Sequence, residues 1–172
     1  ELTALVTAQT SRYIITGLRL AEEFKFKMIL DGGAEVYLVL DEIKKAGIPV
    51  IIHPTMMRTS GDGQHASFET AGKVADFGIP MAFQSGFEGY VPKTRVITFE
   101  AAIAVANGLD YDKAMSALTI DAAKILGIDN RVGSLKVGKD ADLVLYDGDP
   151  FEYTSHVEKV IVNGKVVSEK RK

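Results

Sequence analysis

Strand-like and helix-like patterns alternate four times across residues 2–84 of this 172-residue chain, and that rhythm restricts its fold more than any other feature. Residues 2–8 (LTALVTA), 26–31 (FKMILD), 48–53 (IPVIIH) and 79–84 (IPMAFQ) read as short apolar strands. Between them, residues 11–24, 34–46 and 66–77 carry apolar side chains at helical spacing, such as Ile14, Leu18 and Ala21, or Val36, Leu40 and Ile43. Gly47 and Gly78 stand where helix stops belong. Such alternation implies parallel strands joined by right-handed crossover helices. Four units are half of an eight-unit β/α barrel, with an open doubly wound sheet as the alternative. No Gly-rich phosphate fingerprint follows any strand, which weakens a nucleotide-binding version.

The last third changes character. Residues 97–107 and 111–126 read as two helices, with Asp110 as N-cap of the second. Beyond Gly127 come short strand patterns at 143–146 and 156–162. Asn163-Gly164 is a two-residue hairpin signal joining VEKVIV to KVVSEK. The expected organisation is a β/α half-barrel with following helices over 1–128 and a small antiparallel β module over 129–172.

Composition excludes several functions. A net charge of −3 argues against a nucleic-acid surface. No apolar run approaches the roughly 20 residues of a membrane helix. The absence of cysteine removes disulfides, thiolate metal sites and a Cys nucleophile, and fits the cytoplasm. Glu1 begins abruptly without Met, which suggests a fragment or a portion of a longer protein.

The run RVGSLKVGKDADLVLYDGDPFEYTSHVEKVIVNGKVV, residues 131–167, resembles the C-terminal signature of the amidohydrolase superfamily, and ALTIDAAKILGI at 117–128 resembles the approach to it. Upstream, SRYIITGLRLAEEFKFKMILDGGAEVYLVLDEIKKAGIPVIIHP resembles the fifth to seventh barrel strands of the imidazolonepropionase-like branch, with ASFETAGKVADFGIPMAFQSG leading into the eighth. The resemblance implies half of a metal-dependent-hydrolase-type TIM barrel, about four β/α units, followed by two helices and part of a composite β-sandwich. It also implies hydrolysis of C–N bonds in cyclic amides by a hydroxide formed on zinc or another divalent metal. Asp140 and Asp142, which flank the tail strand, read instead as turn or salt-bridge residues.

The ligands that this resemblance calls for are missing. The fifth-strand V-H-A-H reads Val6-Thr7-Ala8-Gln9, the sixth-strand E-H-G-x-E reads Asp31-Gly32-Gly33-Ala34-Glu35, and the eighth-strand S-D reads Ser85-Gly86. Thr7, Gln9, Gly32 and Gly86 therefore stand at degenerate positions. No metal or other cofactor is expected from this portion. The chain holds three histidines, His53, His65 and His156. His156 reads as a surface residue and His65 as a loop or cap residue. His53 ends the third strand at the expected functional rim, where it reads as a hydrogen-bonded rim residue or as part of a reshaped pocket. Arg58, suited to an anionic ligand, and Glu69, suited to a helix N-terminus, join it as ligand-binding candidates, with Met56-Met57 as an apolar wall.

Three functional expectations follow. The first is a pseudoenzyme that keeps the scaffold and a small-molecule cleft at the barrel rim. The second is an active metal-dependent amidohydrolase whose ligands lie in an absent N-terminal half. The third is a self-associating module, because a half-barrel leaves raw sheet edges and an uncovered apolar face. Its partner would be a second copy, related by a two-fold axis, or the N-terminal half.

Overall fold

The computed structural model describes residues 2–56, 59–86 and 93–169. The order is β1 (Thr3–Ala8), α1 (Ser11–Phe24), β2 (Lys27–Gly32), α2 (Leu40–Ala46), β3 (Val50–Ile52), α3 (Thr70–Asp76), β4 (Met81–Phe83), α4 (Ile97–Ala106), α5 (Tyr111–Leu118), α6 (Ile120–Ile125), β5 (Leu143–Tyr146), β6 (Val157–Val162) and β7 (Lys165–Glu169). Strands β1 to β4 are all parallel and adjacent in sequence order. That order is the barrel arrangement. A doubly wound sheet would reverse direction at a switch point.

Register fixes which face does what. Val6, Leu30, Val50 and Met81 form one cross-strand row, and they belong to the core beneath the helices. Gly17 of α1 lets that helix approach closely: a Cβ there would lie 3.2 Å from Met28 Cε and 3.4 Å from Val6 Cγ1. The next row, Thr7, Asp31, Ile51 and Ala82, faces the other way. On that face Gln84 Nε2, just past β4, donates to Asp31 Oδ1 at 2.7 Å. Strands two apart in a flat sheet lie roughly 9–10 Å from each other. A bond spanning β3 therefore marks this face as concave, the inside of a barrel wall.

Three helix boundaries differ from the sequence reading. The helix expected over 34–46 begins only at Leu40, after a 3₁₀ turn at Val36–Leu38. The N–H groups of Gly33 and Glu35 donate to the carbonyls of Ala8 and Gln9, so the sheet holds these residues past the end of β2. The helix expected from 66 starts at Thr70, because residues 67–69 form a turn closed by Thr70 N–H to Ser67 O. The long helix at 111–126 is two helices, so three follow the barrel units rather than two. The break falls at Thr119, with ψ −96°, whose hydroxyl donates to Met115 O at 2.6 Å and competes with the helical ladder.

The caps come out as read. Asp110 accepts from Lys113 N–H, and Gly47 closes α2 in the left-handed region. The tail is an antiparallel sheet in the order β5-β6-β7. Its β6–β7 turn places Asn163 and Gly164 at φ 49° and 74°, the primed geometry that a tight hairpin requires. Asp140 pairs with Arg131, and Asp142 accepts from Asn163 N–H. The loop before β6 anchors this sheet. Phe151 and Tyr111 stack with centroids 4.9 Å apart, and Tyr111 Oη donates to Asp149. Among the described residues no helix is long and apolar enough to cross a membrane.

Candidate functional site

The C-terminal ends of β1 to β4 form a rim, the face where β/α barrels keep their chemistry. Three polar clusters line it, and a fourth lies beneath. In the first, Thr7 Oγ1 donates to Asp31 Oδ2 at 2.8 Å while Gln84 holds Oδ1. Both carboxylate oxygens are thereby engaged by neutral donors. In the second, Gln9 turns over Gly32, and its Oε1 accepts from Ala34 N–H at 3.1 Å. Gly32 has φ +96°, and a Cβ there would lie 2.6 Å from Gln9 Nε2. The amide of Gln9 thus fills the space that a side chain at position 32 would need.

The third cluster centres on Glu35. Its Oε2 accepts from Ser11 N–H and Ser11 Oγ at 2.8 and 2.9 Å, and its Oε1 pairs with His65 Nδ1 at 2.5 Å. The hydrogen bond to His65, then those to Ser11, hold the Glu35 carboxyl at about 2, well below its ordinary 4.5, against the opposing pull of burial. A permanent carboxylate of this kind fixes the imidazole with Nδ1 as donor. The His65 side chain is 55% exposed, and its Nε2 has no partner among the described residues.

The fourth cluster lies deeper. His53 is 1% exposed. Its Nδ1 lies 2.9 Å from the Pro54 carbonyl, which can only accept, so Nδ1 carries the proton. Burial pushes this imidazole below its ordinary 6.5, opposed by the Pro54 bond and the charge of Glu100. Glu100, fully buried on α4, accepts from Thr55 Oγ1 at 2.5 Å and from Met56 N–H at 3.1 Å through Oε2.

The structure brings Thr7, Gln9 and Gly32 together, and places His53 beneath the rim rather than on it. Gly86 lies against Pro54: a Cβ there would sit 2.6 Å from Pro54 Cγ. Glu69 is on the outer surface in an ion pair with Lys73 at 2.9 Å, which lowers its pKa. Arg58 and Met57 lie outside the described residues. His156 is an exposed residue beside Asp147. Reasoning on the sequence missed Asp31, Gln84, Glu35 and Glu100 as organisers of the site. Glu100 carries a usable signal, since it is the single charge within the apolar stretch ITFEAAIAVA.

This donor set does not suit a divalent cation. Thr and Gln oxygens are neutral and already bonded, and Gly32 and Gly86 bring no side chain. Among the described residues no three His, Asp or Glu side chains come together.

Comparison with known proteins accords with this architecture. The model of the amidohydrolase family matches residues 85–167. The imidazolonepropionase of Alkaliphilus metalliredigens is 26% identical over 137 residues, which cover 76% of this chain and 32% of that protein. A 5-methylthioadenosine/S-adenosylhomocysteine deaminase of Thermoanaerobacter pseudethanolicus is 30% identical over 145 residues, covering 70% of this chain and 33% of that one. The solved structure of an amidohydrolase from Thermotoga maritima superposes with a TM-score of 0.92 at 33% identity, covering 98% of this chain and 44% of that one. The chain thus spans about a third of the length of these curated relatives. Amidohydrolases are in general metal-dependent. From the sequence signature, the four-stranded parallel wall and these similarities together, the chain belongs to the amidohydrolase superfamily and corresponds to the C-terminal portion of its imidazolonepropionase-like members.

Proposed function

We propose that this chain contributes a metal-free rim to an amidohydrolase-type barrel, and that it binds a small polar molecule without hydrolysing it by the metal–hydroxide route. One observation carries the reading. The positions where the family places ligands hold Gln9, Gly32 and Gly86, and the Gln9 amide occupies the space above Gly32. A hydroxide at neutral pH needs a bound cation to lower the pKa of water, and among the described residues no three His, Asp or Glu side chains come together to seat one. Among the described residues, the exposed His65, whose ring Glu35 orients, is available to meet a ligand. The four-stranded wall has β1 and β4 as its edges, so a second copy or an N-terminal half completes it.

The test is metal analysis of the full-length protein, purified without chelator, together with assays on cyclic amides. We expect far less than one zinc, iron or manganese per chain and no hydrolysis. Stoichiometric metal with turnover would overturn the reading in favour of an active amidohydrolase whose ligands lie in the N-terminal half.

A further inference from the structure

The three histidines of this chain sit in three different circumstances. His53 is 1% exposed, so its imidazole is closed to a molecule arriving from solvent. His156 is open, but its Nδ1 lies 3.5 Å from Asp147 Oδ2, too far for a good hydrogen bond. His65 combines both properties. Its side chain is 55% exposed, and its Nδ1 lies 2.5 Å from Glu35 Oε1.

This pair is held from several sides. The hydrogen bonds from His65 and from Ser11 keep the Glu35 carboxyl ionised above about 2. Tyr37 Oη donates to the His65 carbonyl at 3.2 Å, so the backbone that carries the ring is anchored too. Glu35 and Tyr37 both belong to the segment that follows β2.

The polarity of the pair dictates what the other ring nitrogen can do. An ionised Glu35 can only accept, so Nδ1 carries the proton and Nε2 of the neutral ring carries a lone pair. A lone pair on an open ring, with a carboxylate bonded to the opposite nitrogen, is the arrangement of an oriented nucleophile.

We propose that His65 and Glu35 form an acyl-transfer site that hydrolyses activated esters without a metal. Nε2 attacks the carbonyl carbon, a C–N bond forms, and the C–O bond to the leaving group breaks with its electron pair on oxygen. The acylated ring is cationic. Its Nδ1 proton remains shared with Glu35, whose charge balances it. Water from solvent then adds to the acyl carbon, the C–N bond breaks, and Nε2 recovers its lone pair. The proton released in this step neutralises the leaving oxygen, so one ester and one water give one acid and one alcohol. The site deepens the metal-free reading of the same rim, on which it rests, by naming activated acyl groups as its substrate class.

The test uses the full-length protein in the presence of a chelator. Nitrophenolate release is followed with p-nitrophenyl acetate, and histidines labelled by diethyl pyrocarbonate are located by peptide mass mapping. We expect His65→Gln to bring release close to the buffer rate and His156→Gln to leave it unchanged. Glu35→Gln should lower it roughly tenfold, the worth of one charge-assisted hydrogen bond. The pyrocarbonate should label His65 ahead of His156, a comparison that decides the matter in the wild-type protein if Glu35→Gln does not fold. Equal labelling of the two, or release indifferent to His65→Gln, would overturn the proposal and leave the metal-free reading standing. Release that stops with chelator and returns with zinc would overturn both.

Discussion

The two sheets of this chain use the same residue types and end in opposite circumstances. In the parallel wall Leu30, Val50 and Ile52 are wholly buried, clamped between neighbouring strands and the helices outside. In the tail, Val144, Val157, Val162, Val166 and Val167 are each at least 41% exposed, and no residue from 124 to 169 is buried. The difference teaches that β-propensity and hairpin chemistry shape a sheet, but burial stabilises it. The wall brings its own cover in α1 to α3. The tail is held through its loop, by Phe151 and Tyr111, and leaves its valines to whatever lies against them.

Substitutions can break or sharpen this contrast. The largest effect belongs to the wall. Ile52→Ala should cost about 2–5 kcal/mol, as buried aliphatic truncations do, whereas Val166→Ala in β7 should stay within about 0.5 kcal/mol. Denaturant melts of the two variants check this, and equal losses would erase the distinction. Next comes Gly32→Ala, which combines a positive φ with the contact to Gln9 and should cost about 1–3 kcal/mol. Adding Gln9→Ala should recover the part due to the contact and leave the part due to φ.

A pH effect of intermediate size separates the same two regions. The Glu35 carboxyl is depressed in the folded state, to about 2. Its stabilisation is therefore complete above its ordinary value of 4.5 and fades as pH falls from there towards 2. Wild type should lose stability more steeply than Glu35→Gln across that window, as seen by acid titration of the far-ultraviolet dichroism. No such difference should appear between wild type and Val166→Ala. The smallest effect is Asn163→Ala in the hairpin, about 0.5–1 kcal/mol for a residue held at φ 49°. A loss larger than that of Ile52→Ala would show that the tail, not the wall, limits stability.

Much of the fold was legible because its signals are local. The four strands, the Gly47 stop, the Asp110 cap and the Asn163-Gly164 turn each depend on a few adjacent residues. The misplaced helix boundaries have non-local causes. Sheet carbonyls from β1 delay the start of α2, and a side-chain bond at Thr119 splits the helix at 111–126. At the site, the identities of Thr7, Gln9, Gly32 and Gly86 can be read off the chain. Its wiring cannot. Asp31 with Gln84, Glu35 with His65, and Thr55 with Glu100 join residues 30 to 53 positions apart, a separation across which spacing patterns carry no information.

The seat of Gln9 above Gly32 also bears on how this rim could be redesigned to hold a cation. Placing an imidazole at position 32 alone drives it into the amide, and replacing Gln9 alone leaves nothing to coordinate. A larger side chain at position 32 therefore needs the flexible Gln9 amide to swing aside, and the two positions can only be redesigned together.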